Sequence, residues 1–183
     1  SAIDSFRTYM GGEDYPLANY VRDFDSDIPK NIILMIGDGM GLTQVFAGWV
    51  GNKGKLFLDN FKHLGLSLTQ ALNRFTTDSA AGATALSTGK STYNSAIGMV
   101  VTATGDTVAA PTLVEVAEEK GMVTGIVASS ALSHATPASF VAHQKRRNLY
   151  DAIGLEYVDS GPEVMMGGGT KNFNEGADGQ NLI

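Results

Sequence analysis

Cysteine is absent from the 183 residues of this chain. Neither a disulfide nor a thiolate-held metal is available to it, so any metal must be bound by oxygen and imidazole. Histidine is scarce as well, with only His63, His134 and His143. Basic residues never gather into a stripe: the formal charge is -6 at pH 7 and the cluster that stands out is Lys145-Arg146-Arg147. That distribution argues against a nucleic-acid partner, whose phosphates are normally met by a basic face that releases counterions. No apolar run is long enough to span a bilayer, and the opening SAIDSFRTYM has neither the charged nor the apolar region of a signal peptide. The missing cysteine leaves the compartment open, since a leader can be removed ahead of Ser1. Internal repeats are lacking too. The length suits one domain, or one large part of a domain, with a substantial core.

What the chain does have is an alternation of strand-like and helix-like segments. Residues 1 to 29 are polar and irregular and read as a lead-in. Asn31 to Ile36 is a β-branched run without alternation, the pattern of a strand buried on both faces of a parallel sheet. It stops at the turn Gly37-Asp38-Gly39-Met40-Gly41, after which Leu42 to Val50 reads as a helix. Leu64 to Thr69 is a second, weaker strand candidate, and Ala80 to Thr88 a helix of small residues. Pro111 to Lys120 reads as an amphipathic helix with Pro111 in its first turn and Gly121 as its stop. Val123 to Ala128 is a third buried strand and Val164-Met165-Met166 a fourth. Strands alternating with helices predict an α/β layer fold with a mostly parallel central sheet sandwiched by helices.

Ligands of open α/β sheets gather at the carboxyl ends of the strands, which draws attention to Asp38 and to Ser129 to Thr136. Asp38 lies between two glycines that let another group approach the backbone, although an isolated Gly-Asp-Gly is more often only a turn former. A dinucleotide fingerprint is a worse fit, because Leu42 stands where its third glycine belongs. Thr76-Thr77-Asp78-Ser79-Ala80-Ala81-Gly82-Ala83-Thr84-Ala85 puts a carboxylate and a hydroxyl ahead of very small residues. At a helix start, Ser79 would meet unpaired N–H groups and the positive end of the dipole, a place suited to a nucleophile that carries phosphate. Capping by Asp78 or Ser79 is the plainer alternative. No Gly-x-Ser-x-Gly elbow activates this serine, whereas metal coordination would do so without a histidine base. Further on, His134 and Thr136 would face one side of an extended segment before Pro137, and Arg147 follows the threonine by eleven residues. An arginine fork suits phosphate, although Arg146 and Arg147 also fit a solvated helix end and His134 a satisfied loop position. His143 is assigned to packing or a hydrogen bond.

Taken together, Asn31 to Gly41, Thr77 to Ala85 with Ser87-Thr88-Gly89, His134 to Ala138 with Ala142-His143, and Gly167-Gly168-Gly169 resemble the alkaline phosphatases in order and spacing, from residue 31 to about residue 173. The resemblance implies an α/β enzyme that hydrolyses phosphomonoesters with two zinc ions and one magnesium ion and binds inorganic phosphate. By the same resemblance, Asp38 bridges a zinc and the magnesium, Ser79 is the zinc-bound nucleophile that becomes phosphoserine, and Asp78 helps to position the arginine. Thr136 matches a magnesium-ligand hydroxyl. His134 falls where members carry aspartate or histidine, with consequences for the metal at the third site. Arg147 matches the arginine that grips phosphate, with Arg146 as its alternative. The remaining ligands, histidines and carboxylates, match nothing after Gly169. Residues 30 to 183 are therefore expected to be the N-terminal part of the catalytic domain, its partner the C-terminal remainder of that domain. A homodimer that is periplasmic or secreted, without a membrane span, is the expected setting. Phosphodiesterases and sulfatases of the wider superfamily are alternatives, although TTDSAAGATA matches the phosphatases better. A non-catalytic phosphate-binding fragment is the alternative outside enzymes.

Overall fold

Small residues, rather than large ones, make the tightest packing in this protein. The structure, a computed structural model, describes residues 29–174. Of the lead-in expected over residues 1 to 29, residues 1 to 28 lie outside the described residues. The chain divides into two compact units, Ser1–Ser67 and Leu68–Ile183.

In the first unit, the turn Gly37 to Met40 closes with a Met40 N–H bond to Gly37 O at 3.1 Å and leads into helix α1, Leu42–Gly51. The Gln44 side chain reaches back to accept from Gly41 N at 3.1 Å, satisfying one of the donors that a helix start leaves open. A short 3-10 turn follows at Phe57–Asn60. The two strands expected here do not form. Residues 31–36 and 64–69 run without strand hydrogen bonding among the described residues, and Ile33 and Met35 are 86% and 87% exposed. The apolar pattern was legible, but a strand exists only where a neighbour completes its ladder.

The second unit holds the core. Helix α2, Ser79–Thr88, buries Ala80, Ala81, Ala83, Thr84 and Ser87, and ends on Gly89 in the left-handed conformation that glycine adopts without strain. A hairpin of β1, Met99–Val101, and β2, Thr107–Ala109, pairs antiparallel. Helix α3, Leu113–Glu119, opens with a capping box: Thr112 Oγ1 accepts from Glu115 N, and Glu115 Oε2 accepts from Thr112 N at 2.7 Å. The cap is thus Thr112, and Pro111 lies ahead of the helix rather than in its first turn. Strand β3, Gly125–Ala131, pairs parallel with β4, Val164–Gly168. Between them come a single helical turn α4, Ala135–Ala138, and helix α5, Tyr150–Ser160; α6, Lys171–Asn174, follows β4. This is a mixed α/β fold with a parallel strand pair.

Ile97, Leu132, Phe140, Val141, Ile153, Tyr157 and Phe173 cluster with Ala80, Ala83, Ala135 and Ala138 to form that core. Ile126 and Ala128 of β3 pack against it, while Val127 between them points away and is 74% exposed. Where α2 meets α4, three buried hydroxyls replace apolar contact. Thr84 Oγ1 donates to Ala96 O at 3.1 Å and accepts from Gly98 N at 3.0 Å; Ser87 Oγ donates to Ser139 O at 2.6 Å; Ser139 Oγ donates to Ala135 O at 2.8 Å. Alanines on both helices let their backbones come close enough for these bonds. Gly98 itself has φ 57°, and a Cβ there would collide with the Ala142 carbonyl.

Candidate active site

Asp78 organises the start of α2. Its Oδ1 accepts from Ala81 N at 2.9 Å, the N-cap bond that an aspartate makes at the third helical amide. Its Oδ2 accepts from Ser95 N at 3.0 Å and stands 3.3 Å from Arg147 Nη1. The backbone is held in turn: Asp78 N donates to Asn94 Oδ1 at 3.1 Å, and Asn94 Nδ2 donates to Thr76 O at 3.1 Å. Asn94 N donates to Asn73 Oδ1 at 3.0 Å, and Ser95 adopts a positive φ of 80°. Ser79 is the first residue of the helix and half-buried, beside amides that have no partner within the helix. Capping and nucleophile placement, weighed as alternatives on the sequence, are here divided between two neighbouring residues, since Asp78 is the cap.

Arg147 reaches this helix start from a loop ahead of α5. Besides Asp78, its guanidinium meets His134, with Nη2 3.3 Å from Nε2 of the ring. Arginine only donates, so in this contact His134 Nε2 is the acceptor, and its lone pair is the one the ring would offer to a metal in exchange. Lys145 and Arg146 are exposed while Arg147 is half-buried. His134 is the N-cap residue of α4, its N–H bonded to Ala131 O at 3.0 Å. Thr136, half-buried, lies within that helical turn. The extended segment expected before Pro137 is therefore not formed. Proline fits a first helical turn, where its missing N–H costs nothing, so the helical turn begins at Ala135 instead.

The second unit thus brings together Asp78, Ser79, Arg147 and His134, with Thr136 two residues after His134. Asp38 belongs to the first unit, on the exposed turn that precedes α1. Residues that sequence reasoning did not single out include Asn73, Asn94 and Ser95, which hold the Asp78 backbone and carboxylate. Their available signal was a run of turn-forming residues in Ser91-Thr92-Tyr93-Asn94-Ser95, whose long-range partners no local pattern reveals. His143 bonds through Nε2 to Ala110 O at 3.0 Å, away from the arginine pair.

The donor chemistry suits the metals that the motifs imply. Carboxylate and hydroxyl oxygens of Asp38, Ser79 and Thr136 fit magnesium, and the imidazole of His134 and the same oxygens fit zinc. Among the described residues, no group of three or more His, Asp or Glu side chains lies close enough to hold an ion.

The mixed α/β chain places an arginine–carboxylate pair at the start of a helix that opens on serine, an arrangement with the donors and positive charge that suit an anion. The sequence profile of the alkaline phosphatase family matches residues 29–182, and the chain belongs to that family. Alkaline phosphatase of Schizosaccharomyces pombe is 38% identical over 156 residues, covering 79% of this chain and 29% of the relative. The structure of alkaline phosphatase from the Antarctic bacterium TAB5 superposes with a TM-score of 0.79 at 40% identity, over 84% of this chain and 44% of that one. A variant of the TAB5 enzyme with one histidine replaced by glutamate, solved with Mg bound in its M3 site, superposes with the same TM-score at 39% identity, over 84% of this chain and 43% of that one. The chain spans less than half the length of these relatives.

Proposed function

We propose that this chain carries the nucleophile and the phosphate grip of a metal-dependent phosphomonoesterase, completed by a C-terminal segment of the same domain. The observation that supports this best is the Arg147–Asp78 pair at 3.3 Å, which holds a guanidinium next to the residue that opens α2. Ser79 Oγ attacks phosphorus, the alcohol oxygen departs with the bond's electron pair, and water then cleaves the phosphoserine to release inorganic phosphate. Arg147 holds the nonbridging oxygens. Each of its terminal nitrogens has two N–H groups, so bonds to Asp78 and His134 still leave one from each for phosphate. Asp78 keeps the fork in place, and the free amides at the head of α2 add partial positive charge. In the second unit Ser79, Thr136 and His134 would contribute to holding the two zinc ions and one magnesium ion that the family resemblance implies, and in the first unit Asp38 is a further candidate oxygen ligand. When bound, those ions supply the charge that acidifies the serine hydroxyl and stabilises the leaving oxygen. Catalysis of this kind rests on positioning and charge compensation, and phosphomonoesters are gripped by the phosphate rather than by the alcohol. Among the described residues no helix is long and apolar enough to cross a membrane. A periplasmic or secreted homodimer is the proposed setting, carried over from the family resemblance.

Acid-quenching the full-length enzyme during turnover of a radiolabelled phosphomonoester tests the reading. Label is expected on Ser79, and label on another residue would overturn it. The 183-residue chain alone, saturated with zinc and magnesium, is expected to be inactive on p-nitrophenyl phosphate at alkaline pH. Full turnover from a monodisperse sample would remove the need for a C-terminal segment.

A further inference from the structure

The loop that carries Arg147 is tied at its entry to the helix it leads into. Gln144 makes a reciprocal backbone bridge with Ile97, both bonds being 2.9 Å. On the same stretch, the carboxylate of Glu156 takes two donors: His143 N at 2.6 Å through Oε2, and Gln144 Nε2 at 2.5 Å through Oε1. Glu156 Oε2 also lies 3.9 Å from His143 Nδ1. Glu156 sits in the middle of α5, whose Ile153 and Tyr157 are in the core, so the carboxylate is a rigid anchor. Residues 145 to 149 therefore leave a doubly clamped dipeptide and return to the helix that clamps it. Arg147 is at the centre of that short span. A fork that must present N–H groups to phosphate within a few tenths of an ångström depends on such fixed ends, because a loop free at one end spreads the guanidinium over many positions.

We propose that Glu156 is a positioning residue for Arg147, acting through His143 N and the Gln144 side chain to set the enzyme's affinity for phosphate. This rests on the proposed role of Arg147 as the phosphate-holding group. Glu156 lies outside the metal and nucleophile positions, so its influence falls on binding more than on the chemical step.

A double-mutant cycle in the full-length, metal-loaded enzyme tests it, with the inhibition constant for inorganic phosphate, KM and kcat as readouts. Glu156→Ala is expected to raise the inhibition constant and KM together by about tenfold, the scale of a lost charge-assisted hydrogen bond, with a smaller change in kcat. Glu156→Gln keeps an acceptor oxygen and should recover most of the loss. Gln144→Leu removes the donor from the other end, should give an intermediate rise, and serves if Glu156→Ala does not fold. In an Arg147→Ala background neither change should add anything, because coupled residues are not additive. Arg147→Ala that raises the inhibition constant, with Glu156→Ala and Gln144→Leu leaving it unchanged or adding in full to Arg147→Ala, overturns the positioning role alone. An Arg147→Ala enzyme that is inhibited by phosphate as strongly as the parent overturns the phosphate-holding role itself, and the positioning role with it.

Discussion

Helices α1 and α2 are both ten residues long, and each follows a turn bearing an aspartate of the proposed site, yet they are built in opposite ways. α1 has the larger apolar side chains, and none of its residues is buried; Phe46 is 64% exposed. α2 offers little more than alanine, glycine, serine and threonine, and half of it is buried, Ala80 and Thr84 completely. Apolarity sets what burial would be worth, at about 25 cal/mol per Å² removed from water, but burial is seen only where a packing partner lies among the described residues. Small residues permit close approach. Their hydroxyls then find backbone partners, so the contact between α2 and α4 is held by hydrogen bonds where a conventional helix pair relies on leucine. The two aspartates also differ in exposure: Asp78, bonded to Ala81, Ser95 and Arg147, is half-buried, and Asp38 lies on an exposed turn.

The comparison is most sharply tested at the two helix starts. Ser79→Ala in the full-length enzyme is expected to lower turnover by several orders of magnitude, with no rescue by excess zinc or magnesium, because the covalent step is lost. Asp38→Ala should also lose most activity, but raised metal concentrations should restore part of it, since on the proposed reading Asp38 binds metal only. Steady-state rates across a metal titration separate the two; equal rescue of both variants would contradict the assignment. The next largest effect concerns the guanidinium. Arg147→Ala should weaken inhibition by inorganic phosphate by about 1.5–3 kcal/mol, the value of a hydrogen bond to a charged group. Arg146→Ala, on an exposed side chain, should leave it nearly unchanged. Competition assays would show the reverse order if the phosphate-binding arginine is Arg146.

Smaller effects bear on packing. Thr84→Val keeps the shape of the side chain but leaves the buried Gly98 N–H without its acceptor, a cost of about 1–3 kcal/mol. Phe46→Ser on α1 should change the stability of the 183-residue chain by less than about 0.5 kcal/mol. Urea unfolding of both variants checks the contrast, which fails if α1 proves the more sensitive helix. The smallest effect lies at the edge of the parallel pair. Thr124 N–H, 2.8 Å from Glu163 Oε2, holds that carboxyl below its ordinary pKa. The folded state binds the Glu163 proton less readily than the unfolded chain does. Its slight stabilisation is therefore present above the ordinary carboxylate range and is lost as pH falls through the lowered value. Glu163→Gln should flatten that part of the acid unfolding profile, and an unchanged profile would show that the bond carries no stability.

Much of the site was readable because it is local. Asp78-Ser79 followed by small residues specifies a capped helix start by chemistry alone, whereas the choice of Arg147, with Arg146 as its alternative, came from the family resemblance around Thr136-Pro137. The hairpin Met99–Ala109 was missed although Gly105 between two β-branched runs marks it, and α5 was missed because Gly154 and Gly161 weaken its helical pattern. Asn94 and Ser95 offered only a turn-forming run and Glu156 no local signal, because their partners lie 12 to 21 residues away.

Composition excluded thiolate chemistry and a basic nucleic-acid surface, local patterns placed α1, α2, α3 and the segments that become β3 and β4, and motif order pointed to the family. These are properties of short stretches, fixed by side-chain chemistry and backbone preference. Tertiary structure alone decided which apolar runs became strands, because a ladder needs a second backbone that residues 31–36 do not find among those described. It also decided that Asp78 faces Arg147 and that Glu156 bonds the entry of the loop that carries Arg147, because contacts across long stretches of chain depend on how the core closes, and no local pattern encodes that distance.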